Sequence, residues 1–174
     1  MLILGIDPGT ATTGYGFIKV DGPSFSVVEY GLIETLKTSD PEKRLQEIFH
    51  DMTILIDKHK PDIAAIEKVF FATNAKTAIR VGQSIGVIML AAAQAEIPVI
   101  EYSPMTVKKM ISGNGRADKT FVQKHVQKLL HIAKPKKGEK THFDNSADAL
   151  AIAICHIYSS NAEGLAHIKS HIKL

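Results

Sequence analysis

The chain opens on a block of branched apolar residues, Leu2, Ile3, Leu4 and Ile6, cut off by Pro8 and Gly9. A short apolar run ended by turn residues predicts a buried central strand. Gly14 to Ile18 begins a second apolar run a few residues later, close enough for an antiparallel hairpin. Asp21-Gly22-Pro23 is a turn, and Ser24 to Thr35 (SFSVVEYGLIET) a third strand. The period then changes. Asp40-Pro41 predicts a helix start, with Asp40 as N-cap and Pro41 as the first helical residue. Leu45, Ile48, Met52, Leu55 and Ile56 recur at helical spacing as far as Lys60. Pro61 ends that helix, and Asp62 to Glu67 reads as a short fourth strand. The intervening helix is a crossover, so this strand is expected to lie parallel to the first.

Asn74 to Ala95 is the longest expected helix. Gly82 and Gly86 interrupt it one turn apart, each costing about 1 kcal/mol against Ala. Small residues at that spacing admit a close neighbour, either the sheet or a second subunit, and the sheet is the expected one. Pro98 to Tyr102 is a fifth strand. Ser103-Pro104 starts a helix to about Ile111, followed by a loop over Ser112-Gly113-Asn114-Gly115-Arg116. Ala117 to Ile132 predicts a further helix with Asp118 in its first turn. Ala133 to Thr141 is a basic linker broken by Pro and Gly. Asp144 to Ser159 is the last helix, apolar at Leu150, Ile152, Ile154 and Ile157. The expected architecture is α/β, a mixed five-stranded sheet with helices on both faces. It forms one domain over residues 1–159, and residues 160–174 are expected to be a flexible tail.

Composition narrows the class. The 174 residues suffice for one domain with its own core. The single cysteine, Cys155, lies in an apolar run and has no internal disulfide partner, which fits a reducing compartment. No leader is expected ahead of the first strand, and the apolar stretch Val87 to Ala95 is too short to span a bilayer. A cytoplasmic protein without a membrane segment is therefore expected. A net charge of +3 leans mildly toward a polyanionic partner.

The acids carry the chemistry. Asp7 stands at the end of the first strand and Glu67 at the end of the fourth. Parallel pairing of those strands sets the two carboxylates side by side at one sheet edge. The last helix offers Asp144 and Asp148, four residues apart and so on one face. Two carboxylates about 4 Å apart repel by roughly 4 kcal/mol at an effective dielectric near 20. Converging acids therefore call for protons or a cation, and hard oxygen donors select Mg²⁺ or Mn²⁺. Two such ions can activate a water and stabilise the leaving oxygen of a phosphodiester.

Three blocks, GIDPGTATTGYG, AAIEKVFFATNAKTA and SADALAIAICH, resemble the RuvC family of bacterial Holliday junction resolvases, in the family's order. The first block alone is shared with actin-like ATPases, but those need a second copy of the fold, for which this chain is too short. The resemblance implies an RNase H-like fold and a homodimer. It also implies paired, symmetric, Mg²⁺-dependent nicking of four-way DNA junctions beside the RuvA–RuvB branch-migration complex. It makes Asp7, Glu67 and Asp148 three of four catalytic acids. At the fourth position, three residues before Asp148, the family has Asp or His and this chain has Asn145, with Asp144 one residue earlier. Asp144 and Asn145 fall about 40° and 60° to either side of Asp148 around a helix, so both remain candidates. Charge favours Asp144 as the metal ligand. Phe70 matches the aromatic that the family inserts at the junction, whereas Phe71 reads as packing. Lys108 and Lys119 match lysines that contact the scissile strand, and Arg116 and Lys109 extend the basic surface. Lys124 and His142 read as solvated surface. A nuclease of the same broad fold that processes ribosomal RNA precursors is the alternative.

Overall fold

The computed structural model describes residues 1–69, 75–132 and 143–160, apart from the side chains of Asp144 and Asn145. The strands are β1 (Leu2–Asp7), β2 (Thr12–Asp21), β3 (Ser24–Glu34), β4 (Ile63–Glu67) and β5 (Val99–Tyr102). They form one sheet in the order β3-β2-β1-β4-β5. β1–β2 and β2–β3 pair antiparallel, as short turns dictate, while β1–β4 and β4–β5 pair parallel across helical crossovers. The helices are α1 (Pro41–His59), α2 (Ala75–Gln94), α3 (Pro104–Ser112), α4 (Lys119–Leu129) and α5 (Phe143–Ser160).

Strand alternation splits the core into two layers. Ile3, Ile18 and Ala65 pack with α3, α4 and α5. Leu4, Ile6, Phe17, Ala64 and Ile66 pack with α1 and α2. Helices thus cover both faces, as the sequence predicts. α5 is the most enclosed of them, buried from Ala149 through Tyr158. Cys155 belongs to this layer, and burial pushes its thiol up to about 12.

Two glycines let α5 lie so close. Gly5 and Gly16 are direct partners across β1 and β2. A Cβ on Gly5 would run into the Ala149 carbonyl and come within 2.8 Å of the Ala153 nitrogen. A Cβ on Gly16 would meet the Leu150 side chain. Absence of side chains at this pair makes a slot for the helix. At the other side, Tyr102 Oη and His156 Nδ1 hydrogen-bond at 2.8 Å and tie α5 to β5.

Several expectations change. Gly82 and Gly86 do not face the sheet: both are exposed, with open space where a Cβ would be. α2 buries Ala78, Ser84, Ile85, Ile88, Ala91 and Ala92 instead. Asp118 is not in the first turn of its helix but is the N-cap, accepting from the Phe121 amide at 2.8 Å. Asp40 takes the N-cap position of α1 without a side-chain cap bond and pairs with Lys43 at 3.4 Å. Ser160, assigned to the tail, still belongs to α5. The basic linker and residues 161–174 lie outside the described residues.

Candidate active site

The site forms where β1 and β4 end. Ile6 is in register with Ile66, so the following residues, Asp7 and Glu67, emerge side by side from two central strands. Asp7 shares the strand parity of Ile3 and Gly5 and therefore faces α5. The close seating of Ala149 and Ala153 on Gly5 brings Asp148, one residue earlier in α5, to the same edge. The three acids thus arrive from two strands and one helix, each placed by backbone packing.

Their electrostatics show the crowding. Asp7 is raised to about 6, by burial first and by the Asp148 charge second, with Lys119 opposing. Glu67 is raised to about 7, by burial and then by Asp7 and Asp148, against Lys108 and Lys119. Lys119 Nζ donates to Asp148 Oδ2 at 2.5 Å. A cleft of about 240 Å³ is lined by Glu67, Lys108, Lys119 and Asp148 over a floor that includes Val107 and Val122. Acids converge here with lysines interleaved, which suits a phosphodiester held against a cation.

The donor chemistry fits a hard divalent ion: carboxylates, two of which burial first and neighbouring acids second push toward protonation. Among the described residues no three His, Cys, Asp or Glu side chains are grouped tightly enough to grip an ion unaided. That is compatible with Mg²⁺, which is usually held by one or two carboxylates with water and substrate phosphate completing the shell.

The structure brings together Asp7, Glu67, Asp148, Lys108 and Lys119. Asp144 and Asn145 belong to the first turn of α5 by backbone, and their side chains lie outside the described residues. Phe70, Phe71 and His142 also lie outside them. Arg116 is exposed in the turn before α4, and neither it nor Lys109 or Lys124 lines the cleft. What the sequence reading missed is the Gly5–Gly16 slot. A glycine inside an apolar strand is the signal that would have revealed it.

A mixed sheet in this order, with acids at the ends of its two central parallel strands and a third from the helix laid across them, defines an RNase H-like nuclease. The chain belongs to the RuvC family: residues 3–156 match the model for crossover junction endodeoxyribonuclease RuvC. It is 46% identical to the crossover junction endodeoxyribonuclease RuvC of Pelotomaculum thermopropionicum, covering 91% of this chain and 93% of that one. Identity to the RuvC of Alkaliphilus oremlandii is 44%, over 97% of this chain and 100% of the other. Among solved structures, Thermus thermophilus RuvC in complex with a Holliday junction substrate superposes with a TM-score of 0.83. It shares 30% identity, covering 94% of this chain and 97% of that one.

Proposed function

We propose that this chain is a structure-selective endonuclease that resolves four-way DNA junctions by paired, symmetric nicks during recombination and repair. The carrying observation is the convergence of Asp7, Glu67 and Asp148 at one sheet edge in a chain of the RuvC family. A family of endodeoxyribonucleases leaves the ribosomal-RNA reading without support.

In this reading Asp7, Glu67 and Asp148, with Asp144 as fourth ligand, hold two Mg²⁺ ions, for which Mn²⁺ substitutes. Such ions, when bound, stabilise negative charge developing on the phosphodiester oxygens and acidify water. The chain's own residues do the rest. Asp7, Glu67 and Asp148 would fix where the cations sit at the sheet edge. Lys108 and Lys119 neutralise phosphate charge at the cleft, giving salt-dependent affinity. Phe70, three residues beyond Glu67 in the chain, stacks on a base at the crossover, with Arg116 on the neighbouring backbone.

Paired nicks need two sites, and α2 supports a homodimer. Ile79, Met89 and Leu90 are 59%, 39% and 50% exposed on the helix that also carries the open Gly82 and Gly86. Large apolar side chains around small residues suit close approach of a second copy. Family membership supports action with the RuvA–RuvB complex in the cytoplasm, and no helix among the described residues is long and apolar enough to cross a membrane.

The test is incubation with a synthetic four-way junction and Mg²⁺, beside linear duplex and ATP controls. Symmetric nicks on the junction alone are expected. ATP turnover without cleavage overturns the reading.

A further inference from the structure

We infer that Arg44 and Thr35 act as positioning residues for the loop that carries Asp7, an inference resting on the nuclease reading above. Among the described residues no hydrogen bond holds the Asp7 carboxylate itself. Its direction is therefore set by the backbone on either side: the β1 ladder before it and residues 8–11 after it. That loop is gripped at three consecutive carbonyls. The fully buried Thr13 hydroxyl donates to the Gly9 carbonyl at 2.7 Å. Thr35 Oγ1 donates to the Thr10 carbonyl at 2.6 Å, and the Thr35 amide donates to the Ala11 carbonyl at 3.1 Å.

Arg44 decides which way the Thr35 hydroxyl points. Arg44 Nε lies 2.8 Å from Thr35 Oγ1. A guanidinium only donates, so the hydroxyl accepts from Arg44 and its single proton is committed to Thr10. Thr35 is buried, and a charged donor polarises the hydroxyl and strengthens the bond it gives. The relay runs from α1, in the layer packed on one face of the sheet, to the loop behind an acid that faces α5 on the other. Arg44 thus sits away from the cleft and acts through Thr35. Arg44 is half-buried, more than an ordinary solvated helix arginine, and its Nε–Thr35 bond is its contact with the loop's brace.

Displacement of a catalytic group by about 1 Å costs roughly a hundredfold in rate, so a loosened loop reads out in the chemical step. Thr35→Val keeps the shape and the backbone amide and removes the hydroxyl. Thr35→Ser keeps the hydroxyl. Arg44→Met keeps the apolar stem. Each is assayed by single-turnover cleavage of a synthetic four-way junction at saturating protein and Mg²⁺, by junction affinity in EDTA, and by thermal melting. Thr35→Val is expected to lose about tenfold or more in rate with affinity within about twofold of wild type, the pattern of a lost transition-state interaction. Thr35→Ser recovers the rate. Arg44→Met loses less than Thr35→Val and adds nothing to it in the double variant.

A folded Thr35→Val protein that cleaves at the wild-type rate overturns the relay, as does loss of rate only in proportion to loss of affinity. If Thr35→Val fails to fold, Arg44→Met decides: an unchanged single-turnover rate sinks the inference. A wild-type protein that does not nick the junction refutes the nuclease reading instead, so the two failures are distinct.

Discussion

Lys119 Nζ and Asp148 Oδ2 meet at 2.5 Å, tying the first residue of α4 to the acid that α5 carries to the sheet edge. The Lys119 side chain is 60% exposed, so the pair is worth at most about 1 kcal/mol to folding. Its importance lies in the cleft. The Lys119 ammonium opposes the rise of both Asp7 and Glu67, and is itself raised chiefly by its hydrogen bond to Asp148.

Lys119→Met should therefore leave the melting temperature nearly unchanged while junction cleavage falls by about tenfold or more, since the cleft loses a positive charge. The DNA-free variant should bind Mn²⁺ more tightly, because the Asp148 carboxylate no longer has an ammonium competing for it. Calorimetric Mn²⁺ titration checks this, and weaker binding by the variant would count against the competition.

Asp7→Asn should inactivate the protein and stabilise it. The folded pKa values of Asp7, about 6, and Glu67, about 7, lie above their ordinary values of 3.8 and 4.5. The folded chain therefore keeps protons that the unfolded chain has released. The associated stability is present below about pH 4 and is lost as pH rises through 6 to 7. Removing the Asp7 charge should return roughly 2–3 kcal/mol at pH 8 and little at pH 4. Thermal melts in EDTA at the two pH values test the sign, and an equal shift at both would refute the linkage.

Gly86→Arg tests the α2 face. With open space at its Cβ, the substitution should not harm the monomer and should gain about 0.5–1 kcal/mol of helix propensity. A long charged side chain beside Ile79, Met89 and Leu90 should separate the subunits. Sedimentation should then report a monomer that nicks one strand at a time. A variant that stays dimeric places the interface elsewhere.

The sheet was legible because its signals are local. Apolar runs ended by Pro8-Gly9 and begun after Pro61 mark β1 and β4, and parallel pairing then sets Asp7 beside Glu67. Asp148 was legible as a member of a helix face, but its delivery to Asp7 depends on two glycines of different strands, a contact no periodicity encodes. Orientation of α2 was misread for a related reason. That helix is apolar nearly all round, with Ile79, Val81, Ile85, Ile88 and Leu90 spread over its circumference, so glycine spacing alone did not say which side the sheet takes. The Lys119–Asp148 pair joins two helices that sequence spacing cannot relate.

The fourth ligand remains the sharpest question the chain poses. Matching Asn145 to the family position favours an amide, whereas Mg²⁺ binds a carboxylate more strongly and so favours Asp144. Against Asp144 stands the role its carboxylate could take at the start of the helix, accepting from backbone N–H groups. α5 runs from Phe143, so by backbone Asp144 falls in its first turn. On charge Asp144 is the expected ligand, and a carboxylate also suits a helix N-terminus. Asp144→Ala should then be inactive over the whole range of a Mg²⁺ titration, while Asn145→Ala cleaves the junction with at most a modestly higher Mg²⁺ requirement. Circular dichroism of both variants separates lost chemistry from lost helix. If Asn145→Ala is the inactive protein and Asp144→Ala is merely less stable, the family register is right and the charge argument wrong. Asn145→Asp, supplying a carboxylate at the family position, should in that case lower the Mg²⁺ concentration needed for half-maximal cleavage.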